Sequence, residues 1–122
     1  MATQTMLVMM ELNEFTADRV RKLALDIAAN LIETTPVDTG WARSNWVPSV
    51  GSPYDNPVGT REGLDRGPQQ SGMAEIGSYQ VSLGPVFISN NVPYIQILND
   101  GHSQQAPAGF VQMAIDRAVA EL

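Results

Sequence analysis

A run of apolar residues at three- and four-residue spacing, closed by a proline, most constrains how this chain can fold. From about Glu11 to Thr34 the apolar positions form one stripe on a helical surface. The stripe consists of Val20, Leu23, Ala24, Ile27, Ala28, Leu31 and Ile32. The helix must end before Pro36, because the residue preceding a proline is displaced from the α region. The sequence therefore predicts a long N-terminal helix with one buried face.

Residues around this helix carry weaker signals. Residues 1–10 are predicted to be a flexible start or a short strand, and the methionines there could form a soft hydrophobic contact surface. Thr16 is a candidate N-cap for the regular part of the helix, with Asp18 near the positive end of its dipole. After the helix, residues 36–40 have the composition of a turn that ends at Gly40.

The rest of the chain alternates between short elements and one long loop. Residues 41–50 are predicted to be a strand that leads away from the helix. Residues 48–72 hold four prolines and five glycines with almost no apolar spacing, which indicates a long loop, either mobile or an arm that orders against a neighbour. Residues 73–83 fit a helix, or a strand through Tyr79, Val81 and Leu83.

Three more elements are predicted towards the C-terminus. Residues 86–88 form a short buried strand, and a short helix follows Pro93 and ends at Gly101. The last helix has an apolar stripe of its own, made of Phe110, Val111, Ala114, Ile115, Ala118, Val119 and Leu122. The predicted fold class is α+β, with a small, mostly antiparallel sheet packed against a long N-terminal and a C-terminal helix in one domain, 1–122.

Composition excludes several functions. The 122 residues include 7 basic and 13 acidic side chains, for a formal charge of −6. Binding of nucleic acid requires clustered Lys and Arg side chains, and the few in this sequence are spread along the chain. There is no cysteine, hence no disulfide framework and no thiolate zinc site. No apolar stretch approaches the ~20 residues of a membrane span, so a soluble protein of the cytoplasm is expected.

The first candidate for a catalytic residue is His102, the one histidine of the sequence. Asp100 and Ser103 flank it, but sequence adjacency does not supply the geometry of a catalytic triad. The carboxylates show no metal-ligand spacing, and the glycines of 59–67 lack the lysine of a phosphate-binding loop. We therefore expect no enzyme, no metal and no cofactor.

Two segments together resemble a known family. Residues 35–40 read TPVDTG and residues 43–46 read RSNW. Farther along, residues 88–95 read ISNNVPYI and residues 98–110 read LNDGHSQQAPAGF. In this order the blocks resemble the tail-completion or neck proteins of tailed bacteriophages, a family that includes proteins similar to the lambda-type minor tail protein Z. The family often has a glutamate before the glycine of the second block, where this chain has Asn99-Asp100.

The resemblance implies a structural virion protein that completes the tail and joins it to the head connector. Its partners would be the connector or stopper, the tail terminator or tail tube, and other copies of itself in a ring, with six copies expected. DNA would pass through the ring without specific binding, and an acidic lumen would repel phosphate. Assembly would take place in the cytoplasm of the host bacterium. As residues of the subunit interfaces we expect Trp41, Arg43, Trp46, Asn90, Asn91, Tyr94, His102, Gln105 and Phe110.

Three alternatives remain open at this point. A tail-terminator ring that caps the tail tube is the nearest, since such subunits are also small and α+β. A small phage hydrolase would use Asp100 and His102. A regulatory binder of a host protein would act through residues 48–72.

Overall fold

The longest element is helix α1, which runs from Ala2 to Thr34. The computed structural model describes residues 2–37, 40–101 and 106–122, with side chains from residue 13 onward. The predicted end of the helix before Pro36 is confirmed. The predictions for its start are wrong, because the chain is helical from residue 2 and Thr16 lies inside the helix. Most of residues 2–12 are good helix formers (Ala, Leu, Met, Gln and Glu), and no glycine or proline interrupts them.

The segment after α1 contains a one-turn helix, α2 (Trp41–Ser44), before strand β1 (Val47–Val50). The prediction of a strand across 41–50 is therefore right only for its second half. Gly40 adopts a φ of 80°, and its carbonyl accepts a hydrogen bond of 3.0 Å from the Ser44 N–H. This backbone bond closes the turn that replaces the first half of the predicted strand.

Residues 51–66 form the irregular part of the predicted loop. Helix α3 (Gly67–Gly77) starts earlier than expected, with Pro68 in its first turn, where the missing N–H of proline breaks no helical bond. Of the two predictions for 73–83, the helix is confirmed as far as Gly77. The strand is wrong, since a 3₁₀ helix follows at Val81–Leu83.

Three elements complete the described chain: strand β2 (Val86–Ser89), helix α4 (Ile95–Asn99) and helix α5 (Phe110–Ala120). All three were predicted from the sequence, although β2 is half-buried and not buried as expected. The two strands pair antiparallel, with Val47 opposite Ser89 and Val50 opposite Val86. The α+β class with its small antiparallel sheet and its two terminal helices is thus shown.

The main core cluster lies between α1, α5 and the residue that precedes β1. Its buried members are Leu31, Trp46, Ala106, Phe110 and Ala114. Small residues let α1 and α5 approach closely, since Ala28 and Ala118 are fully buried. The buried Asn30 side chain donates a 3.1 Å hydrogen bond to the carbonyl of Ala114 and so ties the two helices together.

Candidate functional site

The residues of the first sequence block close the C-terminal end of α1. The last carbonyls of a helix lack partners within the helix. The hydroxyl of Thr35 donates to the carbonyl of Leu31, and the Arg43 guanidinium donates to the carbonyls of Glu33 at 3.1 Å and Thr35 at 3.0 Å. A cation at this end is also favoured by the helix dipole. Arg43, predicted to be an interface residue, therefore makes its described contacts within its own subunit.

Asn45 holds the irregular segment against α2. Its Oδ1 accepts a 2.7 Å hydrogen bond from the N–H of Val58, and its Nδ2 donates to the Val58 carbonyl at 3.0 Å. The indole N–H of Trp41 donates to the same carbonyl, also at 3.0 Å. Both backbone groups of Val58 are thus bound, although the segment 51–66 contains no helix or strand.

The second sequence block packs onto the first. Asn90 donates a 2.9 Å hydrogen bond from Nδ2 to the carbonyl of Ala42, and Asn91 donates a 2.8 Å bond to the carbonyl of Tyr54. Asn90 also accepts from the N–H of Val92 at 3.1 Å, which shapes the turn after β2. The two blocks, separated by about forty residues of sequence, therefore form one continuous structure.

A partly exposed aromatic pair lies on this structure. The rings of Trp41 and Tyr94 are 5.8 Å apart between centroids and tilted by 56°, a favourable arrangement for two aromatic rings. The Arg61 guanidinium lies 5.0 Å from the centre of the Tyr94 ring, within the range of a cation–π interaction. Of the residues predicted for the interfaces, Trp41 and Tyr94 are the aromatic ones that still present surface. Arg61 joins them in space and was not predicted.

Asn99, where the resembled family often has glutamate, caps helix α5. Its Oδ1 accepts a 3.0 Å hydrogen bond from the N–H of Val111, and its carbonyl accepts from the N–H of Gly109 at 2.7 Å. Gly101 has a φ of 94°, and a Cβ there would lie 2.9 Å from the Cβ of Ala108. The connection from α4 to α5 thus depends on the side-chain amide of Asn99 and on the glycine at position 101. Asp100 lies exposed, and its carboxylate accepts a hydrogen bond from the side-chain amide of Gln96.

An open apolar groove runs between α1, β2 and α5. Its volume is about 460 Å³. Most of the lining is aliphatic, and the residues are Val20, Leu23, Ala24, Ile27, Leu31, Trp46, Tyr79, Pro85, Val86, Ile88, Val111 and Ile115. The lining residues of α1 and α5 belong to the apolar stripes predicted from the sequence, but a helical stripe shows which face is covered and not whether the cover is complete.

The polar atoms at the edge of this groove already have partners. The Trp46 indole N–H donates to the Thr35 hydroxyl at 2.7 Å, and the Tyr79 hydroxyl donates to the carbonyl of Gly84 at 2.7 Å. The carbonyl of Tyr79 accepts from Arg21 at 2.9 Å. Among the residues that the structure describes, none that lines the groove is charged. Its chemistry therefore suits an apolar side chain or helix face better than a polar small molecule.

The predicted interface residues divide into three groups. Trp46 and Phe110 are only 6 % and 2 % exposed, so in this conformation they support the core and offer almost no surface to a neighbour. Trp41, Arg43, Asn90, Asn91 and Tyr94 are half-buried around the junction of the two blocks. His102 and Gln105 lie outside the described residues.

Over the described parts of the chain, no three or more acidic or histidine side chains come close enough to hold a metal ion. Within the same residues, none of the helices combines the length and the apolar character needed to cross a membrane.

Comparisons with protein-family models, with curated proteins and with solved structures found no match for this chain.

Proposed function

We propose that this protein is a structural subunit of the neck of a tailed bacteriophage, which completes the tail and joins it to the head. The observation that carries the proposal is the packing of the two resembling blocks against each other, with Asn90 bound to the Ala42 carbonyl and Trp46 beside Phe110 in one core. The two sequence blocks that resemble one family are therefore also packed together in the folded protein. That arrangement supports a shared fold rather than two chance similarities.

The surface offers features that suit an assembly. Ile97, Met113 and Val119 are each more than half exposed, and the apolar groove lies open beside α5. Exposed apolar area of this kind favours contact with other proteins. A ring of six copies would multiply the formal charge of −6, which would keep DNA phosphate from adhering to the channel.

Deletion of the gene from its phage tests the proposal. We expect filled heads and finished tails to accumulate separately in electron micrographs, and joined virions to return when the gene is supplied from a plasmid. Joined, infectious virions without the gene would refute the assignment. Tails of uncontrolled length would instead assign the protein to the tail-terminator ring.

A further inference from the structure

Five consecutive apolar residues, Met6 to Met10, lie near the start of α1. Successive residues of an α-helix are rotated by about 100°, so five apolar positions in a row are distributed around the helix axis and not along one face. A helix that is apolar all round requires burial on more than one side. Packing one face of α1 against its own domain therefore does not suffice for this segment.

The start of α1 cannot enter the groove of its own subunit. The groove follows α1 from Val20 to Leu31, and Val8 lies twelve residues before Val20 in the same uninterrupted helix. At a rise of 1.5 Å per residue, that places Val8 about 18 Å along the axis from the groove. Only another copy of the chain can bring this segment to the groove.

The segment and the groove match in length and in charge. Residues 2–12 extend over about 15 Å of helix, and the groove follows α1 for about 16 Å. The described lining of the groove includes no charged residue, and the first charged side chain of the sequence is Glu11. Residues 2–10 carry no charged side chain, so docking this part of the segment in the groove loses no ionic hydration.

We propose that residues 2–12 of one copy dock as a helix in the apolar groove of a second copy. The inference rests on the proposed function, since it names the contact that would link neighbouring subunits. The donating and accepting surfaces differ, so the contact is heterologous, and repeating it generates a closed ring or a filament. A methionine-rich helix is well suited to such a groove, because its flexible side chains adapt to an irregular surface.

Cysteine pairing tests this contact directly, because the natural sequence has no cysteine. Met9→Cys protein is mixed with Val86→Cys protein under mild oxidation, and mixed disulfide dimers are measured by mass. Disulfide formation requires the two Cα atoms to approach within about 7 Å. At about 0.1 mM protein we expect about tenfold more mixed dimer than with a Glu62→Cys control on the exposed irregular segment, since docking raises the local concentration to the millimolar range.

Met6→Cys as donor and Val20→Cys as acceptor provide a second pair, and circular dichroism checks that every variant is folded. Mixed dimer at the control level for both pairs would overturn the proposal. An excess of Met9–Met9 dimers over mixed dimers would also overturn it, because it would indicate that the starts of two α1 helices pair with each other. The gene deletion described above tests the neck function independently of this contact. If the deletion gave separate heads and tails but the cysteine variants formed no mixed dimer, the neck function would be supported and only the proposed contact would be refuted.

Discussion

The indole nitrogen of Trp46 donates a 2.7 Å hydrogen bond to the hydroxyl of Thr35 in the interior of the protein. The same hydroxyl donates to the carbonyl of Leu31, so one side chain both ends α1 and orients the tryptophan. Both residues belong to the TPVDTG and RSNW segments. Thr35 and Trp46 of these segments therefore stabilise the fold of the subunit itself, whether or not the segments also contact another protein.

Replacing Thr35 with valine should destabilise the protein by about 1–3 kcal/mol, because the Trp46 indole N–H would stay buried without an acceptor. The Leu31 carbonyl would still accept from the backbone N–H of residue 35. Urea unfolding measures the effect. Thr16→Val, on the exposed side of α1, is the matched control and should change stability by less than about 0.5 kcal/mol. Equal losses in the two variants would contradict the role of this hydrogen bond.

Replacing Asn45 with leucine should free the irregular segment. The Val58 N–H would lose its acceptor inside the protein, at a cost of about 1–3 kcal/mol. Because segment 51–66 would open more often, trypsin should cut after Arg61 and Arg66 faster than in the natural protein. The control is Asn56→Ala, at an exposed position in the same segment. Cleavage at the same rate in both variants would show that Asn45 does not hold the segment.

Two glycines of α3 should respond in opposite directions to alanine. A Cβ at Gly72 would lie 2.2 Å from the carbonyl oxygen of Pro48, so Gly72→Ala must push α3 away from β1. We expect a loss of about 1–3 kcal/mol or more. A Cβ at Gly77 meets nothing within 4 Å, and Gly77→Ala should stabilise the protein by about 0.4–1 kcal/mol. Thermal unfolding midpoints that move in the same direction would refute the close approach of α3 to β1.

Asn99 should contribute through its side-chain oxygen. Asn99→Ala removes the acceptor for the Val111 N–H and should cost about 0.5–2 kcal/mol. Asn99→Asp keeps an acceptor and adds a negative charge near the start of α5, so its stability should stay close to that of the natural protein. Gln112→Ala, on the exposed face of the same helix, controls for changes on α5. If Asn99→Asp were as unstable as Asn99→Ala, the capping role would be wrong.

Sequence periodicity predicted the elements whose stability depends on a regular pattern. The stripes of α1 and α5 are recognisable because burial repeats along each helix, and the strand β2 is recognisable as a short continuous apolar run. The helical turn at Trp41–Ser44 was not predicted. Besides its local Gly40–Ser44 bond, it is bound by Asn90, which donates to the Ala42 carbonyl from 48 positions farther along the chain. A local pattern contains no information about such a partner.

The same limit explains what was missed at the candidate site. The groove lies between α1, β2 and α5, and the spacing between elements is a property of the packed chain. The pairing of Arg61 with Tyr94 likewise joins two segments 33 residues apart. Residue types were sufficient to suggest Trp41 and Tyr94 as interface aromatics, but not to show that the two rings pack against each other.

The two hydrogen bonds between the Asn45 side chain and the Val58 backbone divide residues 51–66 into two short loops that close independently of each other. Chain length can therefore change on one side of Val58 without altering the geometry of the other. Doubling the length of a flexible loop costs only about 0.6 kcal/mol in closure entropy. An affinity tag or fluorescent label inserted near Asn56 would thus be carried at the surface, while the Trp41 and Tyr94 pair keeps its support from Val58.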